Sequence, residues 1–418
     1  MTTVSAPRSM AQERTTGRVG PGQWLHSPTA PYYLILVSSA ALVSIGLVMV
    51  LSASSVAAYA QTGNSYGVFL GQLLFATAGL GLGWVASRLS LRWWKILAVP
   101  GLLLGIGLLA LVFSPLGGSF QGNRNWIYVG GASLQPSEFA TLALVVFGAA
   151  VLARKRAVNG QIAHAAIPFI VPGAAILIGL VIAQRDLGTA MILIAIAAGM
   201  LFIAGLPLRW FAVVGALAAL GAGLLAAGSA NRMQRIDTWL SGICTNPQVE
   251  GCFQKVHAEY ALADGGWWGV GLGASREKWS LLPEPHNDFI LAIIGEELGL
   301  PGSLTVLALF MVLSYGCFRV VIASPDPFVR LAAGGVMVWI LAQACLNIGS
   351  VIGLLPIIGV PLPLVSSGGS ALIAAMLAVG LLLAMARTLP GCAIALAGQP
   401  SVLRRTLAVL PSAQRGRR

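Results

Sequence analysis

Charge is scarce in this sequence. Only 9% of its 418 residues are Asp, Glu, Lys or Arg, and just thirteen of them are acidic. Soluble domains carry about 25% charged residues, so a water-exposed shell around a conventional core is excluded. Histidine and cysteine are sparse as well, at four and five, and no spacing among them suggests a zinc site.

What the chain has instead is apolar sequence, 57% of the total, for which lipid is the expected solvent. Tyr33 to Leu51 runs without a charge for close to the ~20 residues that cross a ~30 Å hydrocarbon core. Comparable runs follow near Phe69–Val85, Ile96–Phe113, Phe139–Leu152, Ile162–Ala183, Leu187–Leu206, Trp210–Ala227, Phe289–Phe318, Leu331–Leu354 and Ala371–Ala386. The expectation is an all-α, polytopic integral membrane protein of about ten transmembrane helices spanning residues 31–389. The first run begins after some thirty polar residues without a small-residue cleavage site, which predicts an anchor and not a removable signal peptide.

Ten spans with the first tail inside place eighteen of the twenty-five basic residues on the cytoplasmic side, in keeping with the positive-inside rule. Both termini are then cytoplasmic. The net charge of +12 is accounted for by orientation and requires no nucleic-acid partner. Of the acidic residues, only Glu13 and Asp326 fall inside, so the functional groups are expected on the outer face.

Residues 1–30 read as a disordered tail, and residues 390–418 as a basic tail lying on the inner leaflet. Two connections are long: the outer loop Ser114–Ser137, and residues 229–288 between the seventh and eighth spans. Long loops tend to carry function. The second contains Cys244 and Cys252, eight positions apart on the oxidising side and candidates for a disulfide.

Several ionisable groups stand at helix mouths, where polar residues are costly and serve either function or helix-to-helix hydrogen bonding. Glu138 follows Gln135-Pro136-Ser137 and suits the first turn of a helix. Arg185 and Asp186 share a tight turn, where they either pair or face a ligand. Arg124, Arg232, Arg235, Arg276 and Lys278 are basic on the outer side, which suits phosphate or pyrophosphate or, less specifically, lipid head groups.

Leu282 to Ile290 holds His286, Asn287 and Asp288 where the long loop enters the eighth span. There a carboxylate could cap the helix or act as a base toward a substrate at the membrane surface. Glu296 and Glu297 lie roughly 12 to 13 Å further along a helix axis, too far to form a catalytic pair with Asp288. They are expected to position other groups. Between the last two spans, Gly353 through Ser366, Ser367 and Ser370 is rich in glycine and proline. It reads as a broken segment that lines a groove or makes a rigid turn.

Taken in order, these blocks resemble the SEDS family, the FtsW/RodA group of cell-wall polymerases. The resemblance rests on Asn123-Arg124-Asn125-Trp126, Gln135-Pro136-Ser137-Glu138, Asp186-Leu187-Gly188-Thr189, Arg232, Arg235, Gly271-Leu272-Gly273 with Lys278, and Pro283-Glu284. It continues through His286-Asn287-Asp288-Phe289-Ile290, Gly295-Glu296-Glu297-Leu298-Gly299, Asn347-Ile348-Gly349 and Gly369-Ser370. Met49–Ser55 and the His286–Ile290 block are more similar to the division-type FtsW branch than to elongation-type RodA.

The resemblance implies a ten-helix fold and polymerisation of lipid II into glycan strands on the outer face of the cytoplasmic membrane. It puts the key carboxylate on Asp288, as the base that takes a proton from the acceptor sugar while undecaprenyl pyrophosphate leaves. Arg124, Arg232, Arg235 and Lys278, with Glu138, Arg185, Asp186, His286, Glu296, Glu297, Ser366 and Ser367, become candidates for substrate binding, and a divalent cation (Mg or Mn) could assist. It also implies a class B penicillin-binding protein as crosslinking partner, among other division proteins. The chain departs from the family pattern at Thr141, where lysine is usual, at Arg185, where proline is usual, and at Ser367, where tyrosine is usual. A flippase for lipid-linked precursor and a non-catalytic scaffold of the division machinery are the competing readings.

Overall fold

The computed structural model of the chain describes residues 25 and 27–397, apart from 121–122, 130–131, 160–161, 228–232, 234–235, 238, 241–249 and 280. Arg232, Arg235 and Cys244 lie outside the described residues.

The apolar runs fold as helices: α1 (Ala30–Thr62), α2 (Gly67–Arg88), α3 (Leu91–Leu111) and α4 (Pro136–Asn159). The fifth run is continuous but irregular. Ile162–Phe169 passes through a π-helical stretch, Ile170–Ala175, into Ile176–Ala183, and together these make α5. Pro168 just before that stretch and Pro172 within it remove backbone donors that a regular helix would use. Then follow α6 (Leu187–Ala204), α7 (Leu208–Ala227), α8 (Glu250–Gly265), α9 (Ile290–Ala323), α10 (Pro327–Val351), α11 (Gly369–Ala386) and the short α12 (Cys392–Ala397).

Nine helices among the described residues are long and apolar enough to cross a membrane. The expected seventh span falls within α7, only some of whose side chains are described. Helices α4, α6, α10 and α11 are mostly buried, whereas α2 and α3 expose most of their apolar side chains, as helices facing lipid do. Exposed residues on α9 recur at Leu300, Leu304, Leu307, Met311, Tyr315, Phe318 and Ile322, a spacing of three and four that forms one lipid-facing stripe.

The loop Ser114–Ser137 is more ordered than hydropathy suggests. It holds an antiparallel sheet of β1 (Gly117–Phe120), β2 (Asn123–Val129) and β3 (Ala132–Leu134), with Gly118 opposite Trp126 and Tyr128 opposite Ser133. The sheet is tied to the α5–α6 turn by the Arg124 amide, which donates to the Gln184 carbonyl at 3.0 Å.

Helix α9 is broken near its start. Gly299 is in a left-handed conformation (φ 67°, ψ −163°), which only glycine adopts without strain. Pro301 has no N–H to give the Glu297 carbonyl, and the Leu300 amide turns away to the Gly266 carbonyl at 3.1 Å. The long loop fills the gap: the Val270 and Gly271 amides donate to the carbonyls of Glu296 and Glu297 at 2.9 and 3.1 Å. Buried backbone groups are thus satisfied across the break, as membrane depth requires.

Candidate functional site

Asp288 sits at the mouth of α9, half-buried. The helix N-cap is the next residue, Phe289, whose own side chain makes no capping hydrogen bond. The backbone around Asp288 is itself held. Three successive carbonyls each accept a hydrogen bond: His286 from the Ser367 amide at 2.9 Å, Asn287 from the Ser366 hydroxyl at 2.7 Å, and Asp288 from the Asn347 side-chain amide at 2.7 Å.

The donors come from α10 and from the glycine- and proline-rich segment that follows it. Asn347 also donates to the Val360 carbonyl at 2.8 Å, and Ser366 accepts from the Leu362 amide at 2.8 Å. Gln72 on α2 closes the far side, donating to the Ser366 carbonyl and accepting from the Gly368 amide, both at 3.2 Å. The segment therefore forms a rigid cradle. Gly359 (φ 76°) lies against the Asp288 carboxylate, where an added Cβ would stand 3.3 Å from Oδ2.

A second polar centre joins the sheet to α6. Asp186 is the N-cap of α6, accepting from the Thr189 amide at 3.0 Å and its hydroxyl at 2.9 Å. The same carboxylate accepts from Asn125 Nδ2 at 2.8 Å and Gln135 Nε2 at 3.4 Å. Glu138 is buried in the first turn of α4, within electrostatic reach of Asp186. Arg185 is exposed at φ 65°, and Thr141 is buried with its hydroxyl on the Ser137 carbonyl at 2.8 Å. The guanidinium of Arg124 donates to the Ser114 carbonyl at 2.9 Å, which ties β2 to the end of α3.

The third centre is buried and ionic. Lys278 and Glu297, 3% and 0% exposed, pair at 2.9 Å, and Ser52 of α1 donates to both Glu297 oxygens at 2.7 Å. Glu296 accepts from the Ser275 hydroxyl and from the Arg276 amide at 2.6 Å. Close by, His257 of α8 meets Glu277 at 2.7 Å. Burial raises the Glu277 pKa, while the His257 contact opposes the shift. His286 is also mostly buried, 3.9 Å from Glu284, and burial lowers its pKa against the pull of that carboxylate.

Of the residues singled out in the sequence, His286, Asp288, Ser366 and Ser367 are brought together, while Lys278, Glu296 and Glu297 form the separate ionic centre. Arg124 and Asp186 meet through the sheet. Asn347 and Gln72 were not expected at the site, although Asn347 stood in one of the recognised blocks. In the long loop Cys252 is disulfide-bonded, whereas Cys317, Cys345 and Cys392 are free. The expected pairing with Cys244 falls outside the described residues.

These features define a polytopic membrane protein with a braced carboxylate at one mouth of its helix bundle. The model of the cell cycle protein family FtsW, RodA and SpoVE matches residues 32–390, and the chain belongs to that family. It is 41% identical over 388 residues to the Mycobacterium tuberculosis protein named probable peptidoglycan glycosyltransferase FtsW, covering 92% of this chain and 74% of the relative. Stage V sporulation protein E of Bacillus subtilis is 36% identical over 361 residues, 86% of this chain and 98% of that one.

Among solved structures, a mutant of the Thermus thermophilus rod shape determining protein RodA superposes with a TM-score of 0.63 at 25% identity, covering 85% of this chain and 97% of its own. A chain from a peptidoglycan synthase complex that coordinates polymerization and crosslinking superposes at 0.67 and 26%, covering 85% and 98%. The chain is accordingly a peptidoglycan glycosyltransferase of the FtsW, RodA and SpoVE family.

Proposed function

We propose that the chain polymerises lipid II on the outer face of the cytoplasmic membrane, with Asp288 as general base. In this reading the Asp288 carboxylate takes the proton from an acceptor sugar hydroxyl as that oxygen bonds to the donor's anomeric carbon. The carbon–oxygen bond to undecaprenyl pyrophosphate breaks, and the pyrophosphate carries away the electron pair. The supporting observation is the grip on His286–Asp288, three consecutive carbonyls held from two other segments. Catalytic groups need placement of this kind to within about 0.5 Å.

The basic residues support the orientation. Lys95 pairs with Asp326 at 2.8 Å, Arg387 donates to the Ser87 carbonyl at 3.2 Å, and Arg319 donates to the Leu25 carbonyl at 2.7 Å. They gather at helix ends away from Asp288, as cytoplasmic residues would, and both termini would share that side. Among the described residues, no three His, Cys, Asp or Glu side chains stand together to hold a metal ion. No step here depends on Mg or Mn.

The likeness to a chain of a complex that couples polymerization to crosslinking supports a class B penicillin-binding protein as partner. The test is polymerisation of labelled lipid II by the chain with that partner, comparing the native protein with Asp288→Asn and Asp288→Ala. Loss of polymer with an intact complex is expected. Undiminished polymer would remove Asp288 from the mechanism and return the flippase and scaffold readings to the front.

A further inference from the structure

We infer that Lys278, Glu297 and Ser52 form a buried lock that sets the position of Asp288 from the far end of its helix. The inference rests on the proposed role of Asp288.

The stretch from Asp288 to the break at Gly299 is a short rod, about 16 Å long at 1.5 Å per residue. Its residues from Ile290 to Glu297 are buried. At one end the rod is held by Asn347, Ser366 and Ser367. At the other end it is cut from the rest of α9, because Gly299 turns the backbone away and Pro301 offers no hydrogen bond. A rod freed at that end would pivot, and Asp288 would move with it.

The long loop prevents this: its Val270 and Gly271 amides hold the backbone carbonyls of Glu296 and Glu297, and its turn Ser275–Lys278 holds their side chains. Ser275 and Arg276 hold Glu296, and Lys278 holds Glu297. Lys278 spends its three N–H bonds on Glu297 Oε1 at 2.9 Å, the Gly273 carbonyl at 2.6 Å and Ser52 Oγ at 3.3 Å. Ser52 lies 226 residues away from Lys278 in sequence, on α1, so the lock fastens the loop, the rod and the first helix at one point. A cation with every donor occupied and 3% of its side chain exposed is poorly placed to neutralise a leaving pyrophosphate. Its effect on the reaction is through Asp288.

The test is a double-mutant cycle on the full chain with its transpeptidase partner, using Lys278→Met, Glu297→Gln, both together, and Ser52→Ala. Ser52→Ala removes only a hydroxyl and guards against loss of the fold, which is followed by the thermal midpoint of each variant. Each single charge change should lower kcat by about tenfold or more with KM within about twofold, since ground-state binding is untouched. The double variant should be no slower than the slower single, because the two residues act as one unit. Ser52→Ala should lower kcat in the same sense by a smaller factor.

A raised KM at unchanged kcat for Lys278→Met, or strictly additive losses, would overturn the lock and make Lys278 a substrate contact. Native kcat in Ser52→Ala together with either charge variant would overturn it too. Asp288→Asn run alongside separates the two ideas: activity there defeats the assignment of Asp288, whereas an inert Asp288→Asn beside fully active lock variants defeats only the lock.

Discussion

The side-chain amide of Asn347 donates to the Asp288 carbonyl at 2.7 Å and, with the same nitrogen, to the Val360 carbonyl at 2.8 Å. One buried side chain on α10 thus sets the distance between the candidate base and the segment facing it. Replacing Asn347 with Leu leaves two carbonyls without that donor, at about 1–3 kcal/mol for each buried group left unsatisfied. A loss of thermal stability is expected, together with a fall in polymerisation rate of about tenfold or more, since 1.4 kcal/mol corresponds to a factor of ten. Native rates in this variant would mean that the carbonyl grip does not control Asp288.

Two adjacent serines should behave differently. Ser366 uses its hydroxyl twice, donating to the Asn287 carbonyl and accepting from the Leu362 amide. Ser367 contributes its backbone amide to the His286 carbonyl, and alanine keeps that donor. Ser366→Ala is expected to cost about 1–3 kcal/mol of stability and to slow polymerisation. Ser367→Ala should remain within about 0.5 kcal/mol of native, as surface-type changes do. Melting curves of the two variants decide the matter, and equal losses would show that the Ser367 side chain has a partner of its own.

Gly359 is constrained from two directions. Its φ of 76° disfavours any side chain, and an added Cβ would stand 3.3 Å from Asp288 Oδ2. Gly359→Ala should therefore cost about 1 kcal/mol in backbone strain and, separately, displace the carboxylate. The expected signature is a drop in kcat larger than the drop in stability predicts. A variant that is destabilised yet turns over at the native rate would show that the carboxylate tolerates the crowding.

Much of this architecture is legible in the sequence because its cause is local. Spans announce themselves through missing charge, and Gly299 and Pro301 stand in plain view within the eighth run. The sheet was missed because hydropathy windows pass over it. Its signal was present in the aromatic and β-branched Trp126-Ile127-Tyr128-Val129 followed by Gly130-Gly131, a hairpin pattern. The site was legible as a set of residues but not as a set of roles. Lys278 stood among outer-loop cations and suggested an anion contact; its pairing with Ser52 and Glu297 depends on a crossing of distant segments that no spacing reveals. Ser366, expected to meet substrate, spends its hydroxyl on backbone.

His286 gives the loop a pH dependence of definite sign. Burial lowers its pKa below the ordinary value, with Glu284 pulling the other way at 3.9 Å. The unfolded chain then binds a proton near pH 6.5 that the folded chain resists. The stability tied to neutral His286 is therefore fully present above about pH 6.5 and is lost as pH falls through the lower folded value. Acidification from about pH 7.5 to pH 5 should lower the melting temperature and loosen the segment that carries Asp288. His286→Gln cannot take up that proton and keeps the backbone carbonyl on which the Ser367 amide rests, so its melting temperature should vary less over the same range. Matching slopes for the native chain and His286→Gln would place the acid sensitivity elsewhere, with Glu277 opposing it: a carboxyl whose pKa is raised by burial stabilises the fold as pH falls.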